Sequence, residues 1–305
     1  SVCYYAYTAQ LMAKISEALK TDDCDAYAAK AKAYRNLAQE IKEEFQTRYV
    51  DADGDLKQKS QTAYLLALKQ DLFPTEEARK KGLETLTRKI AGNGNRLSTG
   101  FVGTAILNQT LSQFGESDTA YNLLLQRGNP SWLYSIDQGA TTIWERWDSY
   151  TKEKGFGPVS MNSFNHYSYG AVSEWMYRTM GGIDIDETRP GFKHIVLQPV
   201  PDNRTEIPAG QERINWVNAS FPSCYGDIKS SWKKENDGAV SYQISIPANT
   251  TATLHLQLPT LDYVVEESGK AAVKAEGVSS ITFMNGKAVL ELQSGSYQFV
   301  VKKGK

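Results

Sequence analysis

A change in hydrophobic periodicity near residue 188 is the feature that most constrains how this sequence folds. Before it, apolar residues recur every three or four positions, the spacing that gives an α-helix one buried face. After it, short runs rich in Val, Ile, Thr and Tyr alternate with turn dipeptides such as Asn285-Gly286. The sequence therefore predicts an α+β, multidomain protein, with a helical domain over residues 1–188 and an antiparallel β-sandwich over residues 189–305.

The helical half divides into segments that carry their own start and stop signals. Thr75 is followed by two glutamates, which places a capping hydroxyl and negative charge at a helix start, and the polar residues 21–23 separate the first two helices. One apolar stripe consists of Tyr34, Leu37, Ile41 and Phe45. We predict helices over residues 3–19, 25–49, 60–70, 75–91, 103–113, 117–126 and 164–180. In the second half we predict strands over residues 194–198, 224–233, 239–246, 251–258, 279–283, 287–292 and 295–301.

Composition limits the classes of partner. The formal net charge of −1 provides no basic field for nucleic acid and no polybasic segment for an anionic membrane, so neither partner is expected. The cysteines Cys3, Cys24 and Cys224 have no Cys-x-x-Cys spacing, so we expect free thiols. Alternating aspartates at residues 51–55 resemble the start of a calcium loop, but Thr62 stands where that loop needs a glutamate. We therefore expect no metal site, and the sequence does not fix the compartment.

The longest segment predicted to be non-helical, residues 127–163, contains the strongest candidates for catalysis. Long loops inside compact domains are often functional. Here Glu145 lies between Trp144 and Trp147 with Arg146 beside it. Indole walls exclude water from a carboxylate, whereas a guanidinium favours its ionised form, so these surroundings can adapt a glutamate to acid or base catalysis. The alternative is that Glu145 and Arg146 form surface ion pairs while the two indoles fill a core.

Two further groups of residues are candidates for binding. Residues 161–171 open the last predicted helix with polar side chains, among them His166, and a helix N-terminus can hold hydroxyl or carboxylate groups. The alternatives are helix capping and a histidine satisfied within the core. Trp132, within the run Pro130-Ser131-Trp132, provides another flat ring for a sugar face, or else a buried residue after a turn. Asp137 is a candidate for holding hydroxyl groups.

At these runs the sequence resembles the bacterial α-L-rhamnosidase family of inverting glycoside hydrolases. The resemblance covers nearly the whole chain. In the helical half it is carried by Ser60-Gln61-Thr62-Ala63, the run Leu97 to Thr104, Pro130-Ser131-Trp132, and residues 139–148 and 162–171. In the second half it is carried by residues 190–195 and 225–232, residues 246–252, and Gly295-Ser296-Tyr297. The resemblance implies part of a helical toroid of the (α/α)6 type followed by the C-terminal β-sandwich of that family.

The resemblance also implies roles for individual residues. Glu145 matches the general base that activates water, and His166 matches the histidine that contacts rhamnose. Trp132, Trp144, Trp147, Arg146 and Asp137 are the further candidates for binding the substrate. The implied substrate is a rhamnose-containing oligosaccharide or glycoside, and no cofactor is implied.

The general acid of the family lies on a segment before the part that matches Ser1. We therefore expect the 305-residue chain alone to be inactive. Because the helical ring is incomplete, we expect its apolar surface to be covered by the chain's own sandwich, by self-association with another copy or by the rest of a longer polypeptide. Two other functions stay open on the residues alone. One is a different toroid enzyme acting on carbohydrates, such as a glucosidase or an epimerase, and the other is a non-catalytic carbohydrate-binding module.

Overall fold

The computed structural model describes residues 2–20 and 25–304 and divides the chain into two compact units, Ser1–Tyr169 and Gly170–Lys305. The division after Tyr169 falls inside the last predicted helix, residues 164–180, whereas the change in periodicity near residue 188 falls after that helix. The domain boundary at residue 188 therefore stays a prediction. The predicted break at residues 21–23 and the thiol of Cys24 lie outside the described residues. No helix in the described part of the chain is long and apolar enough to cross a membrane.

The helices of the first unit follow the predicted segments closely, except that the seventh was not predicted. They are α1 (Val2–Ala18), α2 (Asp25–Tyr49), α3 (Gln61–Lys69), α4 (Glu76–Gly92), α5 (Phe101–Gln113), α6 (Ser117–Leu124) and α7 (Trp132–Asp137). The hydroxyl of Thr75 accepts a hydrogen bond from the backbone N–H of Ala78 at 3.1 Å, as its position before two glutamates predicted. Ser60 caps α3 in the same way, through the N–H of Ala63 at 3.2 Å.

The helices pack as neighbouring pairs. α1 packs on α2, α3 packs on both α4 and α5, and α5 packs on α6. In α2 the buried face contains Ala31, Ala38, Ile41 and Phe45, which repeats at the spacing of a helical stripe. At Gly103 in α5, a Cβ atom would lie 2.5 Å from the hydroxyl of Thr62 in α3, so only glycine allows this close approach of the two helices.

The aspartate-rich turn before α3 is satisfied by protein donors. The carboxylate of Asp51 accepts the backbone N–H groups of Asp53 and Asp55, each at 3.0 Å. Asp55 accepts the Tyr64 hydroxyl at 2.7 Å and the Lys59 ammonium at 2.5 Å. Among the described residues, no group of three or more His, Cys, Asp or Glu side chains is placed to hold a metal ion.

Two predictions about secondary structure in the first half of the sequence are wrong. The segment 127–163 is not free of regular structure, because it contains α7, a hairpin of β1 (Tyr150–Thr151) and β2 (Gly155–Phe156), and a 3₁₀ turn at Val159–Met161. The last helix begins later than residue 164. A 3₁₀ turn at Ser168–Ala171 leads into α8 (Val172–Trp175) and a π-helical turn at Met176–Met180. The π turn is closed by the bond from the Gly181 N–H to the Met176 carbonyl, 2.8 Å long.

The second unit contains two sheets. Its strands are β3 (Ile183–Ile185), β4 (His194–Leu197), β5 (Trp216–Ser223), β6 (Gly226–Lys234), β7 (Val240–Ile246), β8 (Thr251–Gln257), β9 (Tyr263–Glu267), β10 (Lys270–Ala271), β11 (Val278–Met284), β12 (Lys287–Leu292) and β13 (Gly295–Lys303). One sheet has the order β10-β9-β13-β7-β6-β5, and the other has the order β11-β12-β8-β4-β3. All pairings are antiparallel except that of β4 with β8, where the long connection between them allows a parallel pair.

The apolar faces of these strands form one core. Its largest buried side chains include Trp232, Tyr242 and Phe299, and the Trp232 indole N–H donates to the Met180 carbonyl at 2.7 Å. Strands β3, β5, β9 and β10 were not predicted. Strand β5 contains Asn218 and Pro222, residue types that are rare in strands, and Pro222 is tolerated because β5 lies at an edge of its sheet.

Candidate active site

Glu145 lies in an extended segment that is held against residues 163–166 by hydrogen bonds. The backbone N–H of Glu145 donates to the Ser163 carbonyl at 2.9 Å, and the N–H of His166 donates to the Ile143 carbonyl at 2.9 Å. The Thr142 hydroxyl donates to the Phe164 carbonyl at 2.5 Å. These bonds occupy the backbone that was predicted to be helical, which explains why the helix starts only after this segment.

The carboxylate of Glu145 is fixed at one oxygen. The Ser163 N–H donates to Oε2 at 2.8 Å, while no donor from the described residues forms a hydrogen bond with Oε1. Glu145 is half-buried. A carboxylate held in this way has a defined orientation and one oxygen that is still able to accept a proton.

Trp147, two residues after Glu145, belongs to an aromatic cluster. The Trp147 indole stacks on the Tyr169 ring, with centroids 3.8 Å apart and planes 16° apart, and meets the Trp132 indole edge to face at 5.4 Å. The Trp132 N–H donates to the Tyr169 carbonyl at 2.8 Å. Burial raises the pKa of the Tyr169 phenol, so that the phenol stays neutral near pH 7.

The three candidate indoles differ in how much of each ring is accessible. Trp132 and Trp144 are buried, with 8% and 6% of their surface exposed, and Trp144 packs edge to face on Phe164 at 5.3 Å. Trp147 is half-buried, and the Ser135 hydroxyl donates to its carbonyl at 2.7 Å. Of the three, Trp147 therefore has the most surface available for a ligand.

His166 lies in the loop before the 3₁₀ turn rather than in a helix. Its ring stacks on Phe101 at the start of α5, with centroids 4.7 Å apart, and also on Tyr167 at 5.9 Å. Its buried Nδ1 atom has no hydrogen-bond partner in the described part of the chain. Phe101 and Tyr169 were not predicted to belong to a site, although both lie in sequence runs that carried the family resemblance.

The remaining candidates form ion pairs. Arg146 contacts Asp148 at 3.3 Å, and both side chains are about two-fifths exposed. Asp137, at the end of α7, accepts both of its bonds from Arg127, at 2.7 and 3.0 Å. Glu145 thus lies on one segment with Trp144, Trp147 and Arg146, and this segment is hydrogen-bonded to the loop that contains His166. Asp137 instead forms an ion pair with the exposed Arg127.

Comparison with known proteins identifies the family. A family model described as the bacterial alpha-L-rhamnosidase 6 hairpin glycosidase domain matches residues 1–180. The chain belongs to the bacterial α-L-rhamnosidase family. A second model, the bacterial alpha-L-rhamnosidase C-terminal domain, matches residues 182–271. These matches confirm the resemblance and the order of a helical glycosidase domain followed by β-sheets.

Two relatives match nearly the whole chain over only part of their own length. The α-L-rhamnosidase of Streptomyces avermitilis is 38% identical over 99% of this chain, and one from Formosa agariphila is 36% identical over 98%. A crystal structure of the Streptomyces avermitilis enzyme complexed with L-rhamnose superposes with a TM-score of 0.84 at 37% identity, over 99% of this chain and 26% of that one. The chain spans 26% and 30% of the length of the two curated α-L-rhamnosidases.

Proposed function

We propose that this chain contributes the general base of an inverting α-L-rhamnosidase, which hydrolyses terminal α-L-rhamnose from glycosides or oligosaccharides without a cofactor. Glu145 is the base in this proposal. Inversion requires a carboxylate that activates water on the face of the sugar opposite the leaving group, and a second carboxyl group, about 6.5–9.5 Å away, that protonates the leaving oxygen. Family membership and the environment of Glu145 support this assignment.

The proposal rests on a difference between the two carboxylate oxygens of Glu145: only one of them accepts a hydrogen bond from the described residues. Oε2 is held by the Ser163 N–H at 2.8 Å, so the carboxylate cannot rotate freely. Oε1 accepts no hydrogen bond from the described residues and can take a proton from a water molecule. A lone pair of that water's oxygen forms the new bond to the anomeric carbon while Glu145 takes a proton from the water. The bond from the anomeric carbon to the leaving oxygen breaks, and the second carboxyl group protonates that oxygen.

The surrounding side chains have supporting roles in the same proposal. His166 contacts rhamnose hydroxyls in this proposal, and stacking on Phe101 fixes the plane of its ring. Trp147 provides the accessible aromatic surface, and the buried Trp132 packs edge to face on it. Trp144, which is buried against Phe164, stays a further candidate for the sugar pocket. Arg146, which contacts Asp148 at 3.3 Å, stays a candidate for holding hydroxyl groups or for orienting the base. Asp137 stays a candidate for holding hydroxyl groups.

The proposal is tested by the stereochemistry of the product. Proton NMR during hydrolysis of 4-nitrophenyl α-L-rhamnoside by the intact protein is expected to show β-L-rhamnose first, with the α-anomer growing later by mutarotation. α-L-Rhamnose as the first product would exclude an inverting mechanism. Release of 4-nitrophenol from the α-glucoside but not from the rhamnoside would favour the glucosidase alternative.

A further inference from the structure

The sandwich unit presents an exposed tryptophan on a polar sheet face. Trp216, the first residue of the edge strand β5, is 67% exposed, although tryptophan is among the most buried side chains on average. Exposed aromatic rings that are surrounded by polar groups often mark binding sites. The register of the sheet defines the neighbours of Trp216.

Two rows of side chains cross the outer face of strands β5, β6 and β7. Trp216, Lys233 and Ser241 form the first row, and Asn218, Ser231 and Gln243 form the second. Side chains alternate between the faces of a strand, and the intervening Trp232 and Tyr242 are buried in the core. The two rows therefore point away from the core. With strands about 4.8 Å apart, each row spans about 10 Å, which is close to the length of a disaccharide.

These rows line an open groove of about 380 Å³, which also includes Glu235. The Ser231 hydroxyl donates to Oδ1 of Asn218 at 2.9 Å, so the amide nitrogen of Asn218 is directed away from that bond. No described residue forms a hydrogen bond with this nitrogen or with the amide of exposed Gln243. Each primary amide nitrogen has two N–H donors, and such donors match the hydroxyl groups of a sugar.

The charges of the groove cancel. Lys233 and Glu235 form an ion pair at 3.3 Å, and Glu235 also accepts the Ser241 hydroxyl at 2.6 Å. A groove with no net charge has no electrostatic preference for phosphate groups or other ions. One flat indole next to amides and hydroxyls instead fits a ring that has an apolar face and polar edges.

We propose that this groove is a saccharide-binding site separate from the Glu145 segment. The C–H face of a neutral sugar ring stacks on Trp216, and its hydroxyls bond to the amides of Asn218 and Gln243. This inference goes beyond hydrolysis; only the choice of a rhamnose-containing probe rests on the proposed function.

The test observes Trp216 directly. The thio-linked disaccharide α-L-rhamnosyl-(1→6)-D-glucose, which resists hydrolysis, is titrated into the intact ¹⁵N-labelled protein, and the indole N–H signal of Trp216 is followed by NMR. We expect a saturable shift of that signal together with the backbone amides of Asn218 and Ser231. Trp216→Ala should weaken binding, measured at those amides, by about tenfold or more, and Gln243→Ala should weaken it less.

Control variants separate stacking from a general surface effect. Trp216→Phe keeps a ring and should retain part of the affinity, while Phe283→Ala removes another exposed ring, on β11, and should leave the titration unchanged. Trp216 signals that do not move, or affinity that is unchanged in Trp216→Ala, would overturn the proposal. It would also be overturned by a dimer in sedimentation experiments that Trp216→Ala dissociates, since the ring would then be a protein contact. If the Trp216 signal shifts in a protein that does not hydrolyse rhamnosides, the saccharide-binding site is supported and only the proposed function is contradicted.

Discussion

Two histidines in this chain show how the two units use polar groups differently. In the sandwich unit, His194 is buried, and its ring nitrogens contact the hydroxyls of Thr251 and Thr253 at 2.6 and 2.9 Å. In the first unit, His166 is fixed by stacking on Phe101, and its Nδ1 has no hydrogen-bond partner among the described residues. Both ring nitrogens of His194 are therefore satisfied by the sheet, whereas the buried Nδ1 of His166 is not satisfied by the described residues.

The arginine–aspartate pairs repeat this contrast. Asp202 and Arg204 have side chains that are 0% and 1% exposed and are joined by two parallel bonds of 2.8 Å. The Ile214 N–H and the side chain of Gln211 add further bonds, at 3.0 and 2.6 Å. Arg146 and Asp148 share a single contact at 3.3 Å and are about two-fifths exposed. Fully satisfied buried charges maintain a fold, and partly satisfied exposed ones are available to a ligand.

The largest effect on activity is expected at Glu145. Glu145→Gln keeps the size of the side chain and can still accept the Ser163 N–H, but it cannot take a proton, so turnover of an aryl rhamnoside by the intact protein should fall by about 10² to 10⁴. Glu153→Gln, the same change at an exposed residue, is the matched control and should leave turnover unchanged. Equal activity of the two variants would remove Glu145 from the mechanism.

The largest effect on stability is expected at Asp202. Asp202→Asn leaves the Arg204 guanidinium buried without its countercharge and should lower the free energy of unfolding of the sandwich by about 3–5 kcal/mol. Asp148→Asn should lower stability by only about 0–1 kcal/mol, because that pair is exposed to water. Chemical denaturation followed by tryptophan fluorescence measures both variants. Similar losses would show that burial does not distinguish the two pairs.

Substitutions of the two histidines should also have different effects, on KM for His166 and on Tm for His194. His166→Ala removes a proposed contact with bound rhamnose, and we expect KM to rise about tenfold with a smaller change in kcat and in Tm. His194→Gln should lower Tm and leave KM unchanged, because its partners are threonines of the sheet. Steady-state kinetics and calorimetry on both variants provide the comparison. A rise in KM for His194→Gln alone would reverse the assignment.

The smallest effect is a dependence of stability on pH. Burial, together with the charge of Arg189, lowers the pKa of His194, while Glu291 and Asp186 oppose that shift. The imidazole of His194 binds a proton more readily in the unfolded chain than in the folded one. The contribution of His194 to the free energy of unfolding is therefore complete above about pH 6.5 and is lost as the pH falls toward the lowered pKa. The His194→Gln variant should lack that loss. A pH profile identical in both proteins would contradict the role of His194.

Asp202 acts in a separate pH range. Burial opposes its ionisation, but the hydrogen bonds from Arg204 and the Ile214 N–H outweigh burial and hold the pKa of Asp202 below its usual value. Its contribution to stability is therefore present above about pH 4 and is lost at lower pH. Loss of stability that begins below about pH 6.5 and is absent from His194→Gln can thus be assigned to His194 without interference from this carboxylate.

Local signals in the sequence predicted the elements they control directly. The stripe of α2 and the cap at Thr75 were readable because each depends on residues a few positions apart. Residues 164–167 were wrongly predicted to be helical. The hydrogen bonds that hold this loop come from residues 142–145, and sequence spacing does not show such distant pairing. Edge strand β5 was missed for a similar reason, since its pairing with β6 outweighs its weak strand propensity.

The candidate site shows the same limit. Glu145 and the neighbouring indoles were found from their sequence, because they are adjacent in the chain. Phe101 and Tyr169 were missed as members of the site, since their contacts with His166 and Trp147 bring together residues that are distant in sequence. Short-range chemistry was therefore predictable, while the partners that orient it were visible only in the fold.

Chemical rescue tests the central claim most directly. Glu145→Ala removes the proposed base and opens space beside the anomeric carbon, where azide, which needs no base, can attack from the face that water would use. We predict that azide restores release of the aryl group by Glu145→Ala in the intact protein, with formation of β-L-rhamnosyl azide, and that Glu153→Ala forms none. No recovery with azide, or formation of the α-azide, would contradict the role of Glu145 as the base of an inverting reaction.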